Sequence, residues 1–257
     1  MGAKTKIDWA DATWNPVTGC LHGCEYCYAR RIAERFGHGD SDEATHYLGE
    51  PMGYPVFGDD DRIDPYPFGF APTFHRYRLG IPQHWKKPRT VFVGSMADLF
   101  GAWVPDEWIE EVLKACDNAA QHRFLFLTKN PSRYKDLMNL LPVHRRPPAV
   151  AEMWFGHSYT GVGDYRPISL PPACSRFVSI EPLLHSLSEQ DMMVVAATND
   201  WIIIGAETGR RKGKVTPDKS WVDGITYYAK KNNVPVFMKE SLRTLMGDNF
   251  KQEFPWE

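Results

Sequence analysis

The chain has no long apolar run: in 257 residues the longest, residues 192–197, has six, against the roughly 18 that a membrane span needs. Neither sign of charge dominates, since 30 Lys and Arg face 32 Asp and Glu for a net charge of -2. Net charge therefore favours no class of partner, and only local clusters can. Cysteine is sparse. Of five, Cys20, Cys24 and Cys27 fall within eight residues while Cys116 and Cys174 stand alone, a distribution that excludes a secreted disulfide framework. The N-terminal residues hold no apolar signal core, and Lys6 stands where a myristoylation pattern needs Ser or Thr, so the expected location is the cytoplasm. Aromatics are plentiful, with 14 Phe, 11 Tyr and 9 Trp, enough apolar bulk to exclude disorder along the whole chain. One domain over 1–257 is expected, a length that suits a barrel of repeated strand–helix units at about 250 residues.

Short β-branched or aromatic runs that end in polar residues predict strands over 12–17, 90–94, 124–128, 153–158, 176–181, 201–206 and 235–239. Stretches such as Val91-Phe92-Val93 and Ile202-Ile203-Ile204 are continuously apolar, as strands buried on both faces are, which favours a parallel sheet covered by helices. A helix is expected over 28–36. Another opens at Pro105 with Asp106 and Glu107 in its first turn, where the dipole favours acids, and buries Trp108, Ile109, Val112, Leu113 and Cys116. A third starts near Pro131 and runs through Tyr134, Leu137 and Leu141. A fourth follows Asp218, with Trp221, Val222, Ile225, Tyr228 and Ala229 on one side. This alternation predicts an α/β fold, a partial or full (β/α) barrel. Residues 37–85, with seven Gly and six Pro, break the rhythm. They are too long for an ordinary connection and too aromatic for a flexible linker, and are expected to form an ordered, irregular insertion after the first helix, over the barrel mouth.

Gly19-Cys20-Leu21-His22-Gly23-Cys24-Glu25-Tyr26-Cys27-Tyr28 carries the spacing C-x3-C-x2-C between the first predicted strand and the 28–36 helix. Three thiolates on a short loop can hold three corners of a four-iron four-sulfur (4Fe-4S) cubane and leave one iron open for chemistry. Gly19 and Gly23 allow the backbone to fold tightly round it. The alternative is a zinc ion held by the three cysteines with His22, His38 or His46. Zinc sites more often show paired C-x2-C knuckles, and the chain has no second cysteine pair. Cys116 is expected in the core and Cys174 in a Pro-rich approach to a strand.

With Tyr26 before the third cysteine, the loop resembles the signature of the radical S-adenosylmethionine superfamily, in which it follows the first strand of a partial or full (β/α) barrel. The three-residue gap between the first two cysteines is that of the superfamily at large. The blocks Thr13-Trp14-Asn15-Pro16-Val17-Thr18-Gly19-Cys20, Trp85-Lys86-Lys87-Pro88-Arg89 and Phe92-Val93-Gly94-Ser95-Met96-Ala97-Asp98-Leu99-Phe100 resemble one phage-associated radical-SAM family. So do Leu127-Thr128-Lys129, Ser179-Ile180-Glu181-Pro182-Leu183-Leu184 and Ile203-Ile204-Gly205-Ala206-Glu207-Thr208-Gly209. That family is common in bacteriophages and bacteria and is described only as a domain of unknown function. The blocks span nearly the whole chain.

In a parallel barrel, function gathers at the carboxyl ends of the strands, here Ser95 and Asp98, Thr128 and Lys129, Ser158 and Tyr159, Glu181, Glu207, and Lys239 and Glu240. The resemblance implies S-adenosylmethionine beside the cluster, its ammonium met at Gly94, Ser95 and Met96 and its adenine packed beside Tyr26. A cation suits its carboxylate, and Lys129 is the candidate; Glu181 or Ser158 suits the ribose hydroxyls. Glu207 is assigned to cofactor or substrate, the plainer alternative being a partner for Lys239. Trp14 and Asn15 either shape the cysteine loop or simply pack. Four cations, Arg210, Arg211, Lys212 and Lys214, follow a strand end, either as a solvated run or as a grip on the phosphates of a substrate. Arg30-Arg31, Lys86-Lys87 and Arg145-Arg146 are candidates to extend that patch.

The expectation is an enzyme that cleaves S-adenosylmethionine reductively to methionine and a 5′-deoxyadenosyl radical. The radical takes a hydrogen atom from a nucleic acid or nucleotide in modification or repair, in broad outline like the spore photoproduct lyase type. An electron donor such as flavodoxin or ferredoxin is implied; a membrane is not. A peptide substrate is the enzymatic alternative. A nucleic-acid-binding module holding zinc or a structural cluster is the non-enzymatic one.

Overall fold

The computed structural model describes residues 5–37, 51–58, 61–136, 151–171, 174–209 and 211–257. His38, His46, Leu137, Leu141, Arg145, Arg146 and Arg210 lie outside the described residues. The described strands are β1 (Ala12–Trp14), β2 (Val17–Thr18), β3 (Thr73–Phe74), β4 (Thr90–Val93), β5 (Arg123–Thr128), β6 (Glu152–Tyr159), β7 (Ser175–Ile180), β8 (Trp201–Ile204) and β9 (Val236–Met238). The helices are α1 (Tyr28–Phe36), α2 (Asp106–Asp117), α3 (Arg133–Asp136), α4 (Glu189–Thr198), α5 (Lys219–Lys231) and α6 (Arg243–Met246). Seven strands form one sheet in the order β1-β4-β5-β6-β7-β8-β9, the α/β architecture of a partial (β/α) barrel. The chain divides into two compact units, Met1–Lys6 with Ala10–Met153 and Ile7–Trp9 with Trp154–Glu257. Among the described residues no helix is long and apolar enough to cross a membrane.

In the first unit β1, β4 and β5 run parallel, with Ala12, Val91 and Phe124 in one register row and Trp14, Val93 and Phe126 in another. The strand expected over 12–17 splits. Pro16 has no N–H for a ladder, so β1 stops at Trp14, and β2 turns away to pair antiparallel with β3, Val17 opposite Phe74 and Thr18 opposite Thr73. That pairing anchors the insertion. Its described part is irregular but ordered, with 3-10 turns at Arg76–Arg78 and Pro82–His84. The buried Arg78 donates to Asn15 O at 3.2 Å and Pro65 O at 3.3 Å. Phe70 joins Ala29, Ala33 and Met96 in a small core flanked by Cys20, Cys27 and Tyr66, so this segment braces the cysteine loop.

In the second unit β6 to β9 are parallel and in register, and their two faces differ. One face carries Tyr159, Val178, Ile180, Ile202, Ile204, Val236 and Met238 into a core with Val195 of α4 and Val222, Ile225 and Ala229 of α5. The opposite face begins with Phe177, Trp201 and Phe237. Trp9 packs on Phe177 at 6.3 Å and on Trp201 at 6.4 Å, while Phe254 and Trp256 meet Trp201 at 5.8 and 5.2 Å. Further along, that face turns polar. The residues expected to be buried in α2 are all buried. Helix α4 had no sequence signal because residues 192–197 are apolar without a 3.6-residue alternation; its start is fixed by Ser188, whose hydroxyl accepts from Asp191 N–H at 3.0 Å.

Two histidines are buried where a charge cannot be solvated. Burial lowers His75 to about 3, with Arg78 adding to the effect, and lowers His157, stacked on Tyr165 at 5.0 Å, to about 4. The unfolded chain protonates both near 6.5. A lowered folded pKa means that stability is full above 6.5 and is lost as pH falls below it, at up to about 1.4 kcal/mol per pH unit for each histidine. His157→Phe is expected to make denaturant-measured stability fall less steeply between pH 6.5 and 4; a slope equal to the parent's would show that His157 is not buried neutral.

Candidate functional site

The cysteine loop starts from a glycine that nothing can replace. Gly19 has φ +86°, and a Cβ there would lie 2.1 Å from Ala71 O. Its N–H donates to Met96 O at 2.9 Å, and Cys20 N–H donates to Phe70 O at 3.2 Å, so the loop is stitched to the end of β4 and to the insertion. Cys27 caps α1: its Sγ accepts from Arg30 N–H at 3.4 Å, a position where the helix dipole favours negative sulfur. All three thiols are half-buried. Burial pushes Cys20 up to about 12; Asp98, Cys24 and Cys27 push the same way, while the His22 backbone N–H opposes them.

Among the described residues no group of three or more His, Cys, Asp or Glu is arranged to hold a single metal ion. A cubane makes a different demand, since each thiolate binds a different iron. Three half-buried thiols on a glycine-shaped loop, one capping a helix, fit that group. His22, a candidate for the zinc alternative, has its Nε2 on Asp98 Oδ2 at 2.7 Å and its ring edge-on to Trp103 at 4.9 Å.

Asp98 is the centre of this unit's polar structure and is 4 % exposed. Its Oδ1 accepts from Phe100 N–H at 3.1 Å and from the Thr128 hydroxyl at 2.7 Å. Its Oδ2 accepts from Lys129 N–H at 2.8 Å as well as from His22. Asn15 does the parallel work one strand away: its Oδ1 accepts from Ser95 Oγ and Met96 N–H, both at 3.1 Å, and so shapes the Gly94–Ser95–Met96 turn. Tyr28 adds a bond from its hydroxyl to Ser95 O at 2.6 Å. The Lys129 ammonium lies 5.3 Å from the Tyr26 ring centre. Burial raises the Tyr26 hydroxyl above its usual range, against the pull of Lys129. The structure thus brings Cys20, Cys24, Cys27, Tyr26, Gly94, Ser95, Met96 and Lys129 into one neighbourhood.

In the second unit the polar stretch of the face opposite α4 and α5 holds Ser158, half-buried, with Ser179 in register beside it. Ser179 is 1 % exposed and its hydroxyl has no partner among the described residues. Just beyond, Glu181 Oε1 meets Lys239 Nζ at 2.5 Å, and Gly205 leaves them room, since a Cβ there would come within 2.9 Å of Lys239 Cδ. The expected alternative pairing of Glu207 with Lys239 is therefore corrected. Lys239 and Glu181 each lie one residue past a strand end on the same face, whereas buried Glu207 accepts from Arg211 at 2.6 and 2.8 Å and from Val215 N–H at 3.2 Å. That pairing takes Arg211 out of the free basic run. Lys212 and Lys214 are exposed, as are Arg31, Lys86 and Lys87; Arg30 is half-buried over Phe70 at 5.1 Å. Sequence reading passed over Ser179, and saw His22 only as a possible zinc ligand.

A family model described as "Protein of unknown function (DUF5131)" matches residues 4–247. Comparison with curated proteins finds no match. Among solved structures the chain is similar to spore photoproduct lyase. A Cys-to-Ser mutant of it gives a TM-score of 0.52 at 11% identity, covering 93% of this chain and 80% of that one. A Tyr-to-Phe mutant gives 0.51 at 10% identity with the same coverage. At such identities the shared property is the fold.

Arg211 holds the Glu207 carboxyl below the usual carboxylate range. A lowered folded pKa makes the pair's contribution full above the unfolded value of 4.5 and lost as pH falls through the folded one. Hydrogen exchange should find the Val215 amide protected at pH 6 and progressively less so below pH 4. Glu207→Gln should expose it already at pH 6; undiminished protection in that variant would show that the loop is held by something else.

Proposed function

The chain belongs to the DUF5131 family, whose description assigns no reaction, and we propose that it is a radical S-adenosylmethionine enzyme acting on a nucleic acid or nucleotide. The observation that carries this reading is the C-x3-C-x2-C loop itself: three half-buried thiols directly after the first strands of a parallel α/β sheet, one of them capping α1. The fold shared with spore photoproduct lyase supports it. When bound, a four-iron four-sulfur cluster and S-adenosylmethionine supply one-electron cleavage to a 5′-deoxyadenosyl radical that abstracts hydrogen from an unreactive carbon.

The chain's own residues do the rest. Cys20, Cys24 and Cys27 each give one thiolate. The Gly94–Ser95–Met96 turn, held by Asn15, would present backbone carbonyls to the methionyl ammonium. Lys129 offers the charge for the carboxylate, and Tyr26 gives the adenine an apolar face. Ser158 and Glu181 are assigned to the ribose hydroxyls, with Lys239 orienting Glu181. Glu207, with both oxygens engaged, acts by holding the basic loop in shape rather than by touching a ligand. The phosphate grip then falls to Lys212, Lys214 and Arg210. An electron donor such as flavodoxin or ferredoxin would supply the electron that reductive cleavage requires.

Anaerobic reconstitution should give about four iron and four sulfide per chain. Alanine at Cys20, Cys24 or Cys27 should abolish that loading, and alanine at buried Cys116 or Cys174 should not. The reduced protein should convert S-adenosylmethionine to 5′-deoxyadenosine and methionine. Lys129→Ala should weaken cofactor binding by roughly 1.5–3 kcal/mol, the worth of a hydrogen bond to a charged group, without iron loss. Zinc in place of iron, or S-adenosylhomocysteine without 5′-deoxyadenosine, would overturn the reading.

The substrate class has its own test. A Lys212→Ala/Lys214→Ala double variant should lower the slope of log affinity against log salt for nucleic acid by about one unit for each phosphate that is no longer neutralised, while cleavage of S-adenosylmethionine continues. Identical slopes would move the substrate towards a peptide.

A further inference from the structure

The geometry points to Asp98 as a positioning residue that couples the cysteine loop to the cofactor lysine Lys129. This rests on the radical S-adenosylmethionine reading and concerns residues with no role in it so far. Three of the donors to Asp98 sit on the elements that matter. His22 lies inside the cysteine loop, 76 positions away in sequence. The Thr128 hydroxyl and the Lys129 amide mark the end of β5. Phe100 N–H closes the turn that carries Asp98 itself.

A carboxylate has only acceptors to offer, so the Nε2 of His22 carries the proton in that bond and its tautomer is fixed. With the ring held by Asp98 and packed edge-on to Trp103, the His22 backbone is held too, two residues after Cys20 and two before Cys24. How the loop seats its sulfurs sets their hydrogen bonding and solvent exposure, two of the levers on a cluster's reduction potential. At the end of β5, the Lys129 amide bond fixes where the lysine leaves the strand and so where its ammonium stands over Tyr26. One buried carboxylate therefore fixes two placements at once: that of the loop that carries the thiols, and that of the strand end that carries the cofactor cation. Residues that orient metal ligands in this way are worth about tenfold to a hundredfold in metal affinity or activity.

The coupling predicts a split between two variants. His22→Leu leaves the other bonds to Asp98 in place, so it should shift the cluster's midpoint potential and speed iron loss to a chelator about tenfold, with cofactor affinity close to the parent's. His22→Gln, which can still donate to Asp98, should restore both. Asp98→Asn cannot satisfy all the donors that converge on it, and should shift the potential and also weaken S-adenosylmethionine binding. Redox titration followed by electron paramagnetic resonance reads the first effect, and equilibrium binding the second. Metal-free protein gives a readout that needs no cluster: under conditions where both proteins stay folded, alkylation of the half-buried Cys20 should be faster in His22→Leu, whose loop is loosened, than in the parent, and parent-like in His22→Gln. Parent-like potential, iron retention and Cys20 alkylation in His22→Leu would overturn the inference while leaving the cluster assignment standing. A parent protein that assembles no cluster would instead overturn the reading beneath it.

Discussion

Four hydrogen bonds end on one buried carboxylate, and the organisation of the first unit depends on them. A buried charge is tolerated only when its desolvation is offset by donors, and Asp98 has two donors on each of its oxygens. Each of these bonds contributes roughly 1.5–3 kcal/mol when its acceptor is ionised, but the geometric effect is larger than the sum. The donors come from the cysteine loop, the turn after β4 and the end of β5, segments that share no ladder bond with one another at those residues. A charge that must be satisfied by all of them leaves little freedom in how they sit. Asn15 repeats the device with a neutral amide, tying the turn after β4 back to the end of β1.

The sheet was legible because its signal is local. Continuous apolar runs such as Val91-Phe92-Val93 and Ile202-Ile203-Ile204 announce strands buried on both faces, and all six residues are buried. Helix α2 was legible for the same reason, an apolar face opening at a proline. The cysteine spacing was legible because the chemistry of three thiols on one loop is itself local. What escaped is long-range. Asp98 stood out only as a polar residue after a strand; that its partners would be His22 and Thr128, 76 and 30 positions away, has no trace in composition or periodicity. The β2–β3 pair escaped because two residues a side are too few to alternate.

The basic loop shows how charge counted along a sequence differs from charge available in space. Arg211 lies four positions after Glu207, and folding closes that pair around a carboxylate with 1 % of its side chain exposed. The spacing was visible, but its meaning depended on Glu207 being buried at a strand end, where an unpaired carboxylate is costly and an arginine fork satisfies both oxygens together. A run of cations thus has an inner member that builds the loop and outer members, Lys212 and Lys214, left to meet solvent or a ligand.

The face of the second unit opposite α4 and α5 has a direction built into it. At the amino ends of its strands, Phe177, Trp201 and Phe237 are packed by Trp9, Phe254 and Trp256, bulk whose truncation at one large aromatic typically costs about 3–5 kcal/mol. Trp201 also donates its indole N–H to Glu253 O at 2.9 Å, so this end has little polar capacity left to offer. Two residues along β7 the face carries the unpartnered Ser179 hydroxyl, and two more bring Glu181 with its lysine. An orphaned buried hydroxyl costs about 1–3 kcal/mol, a penalty that an all-apolar strand would not incur. Along this one face, then, the strands pass from aromatic packing to a buried hydroxyl and then to an ion pair at their carboxyl side.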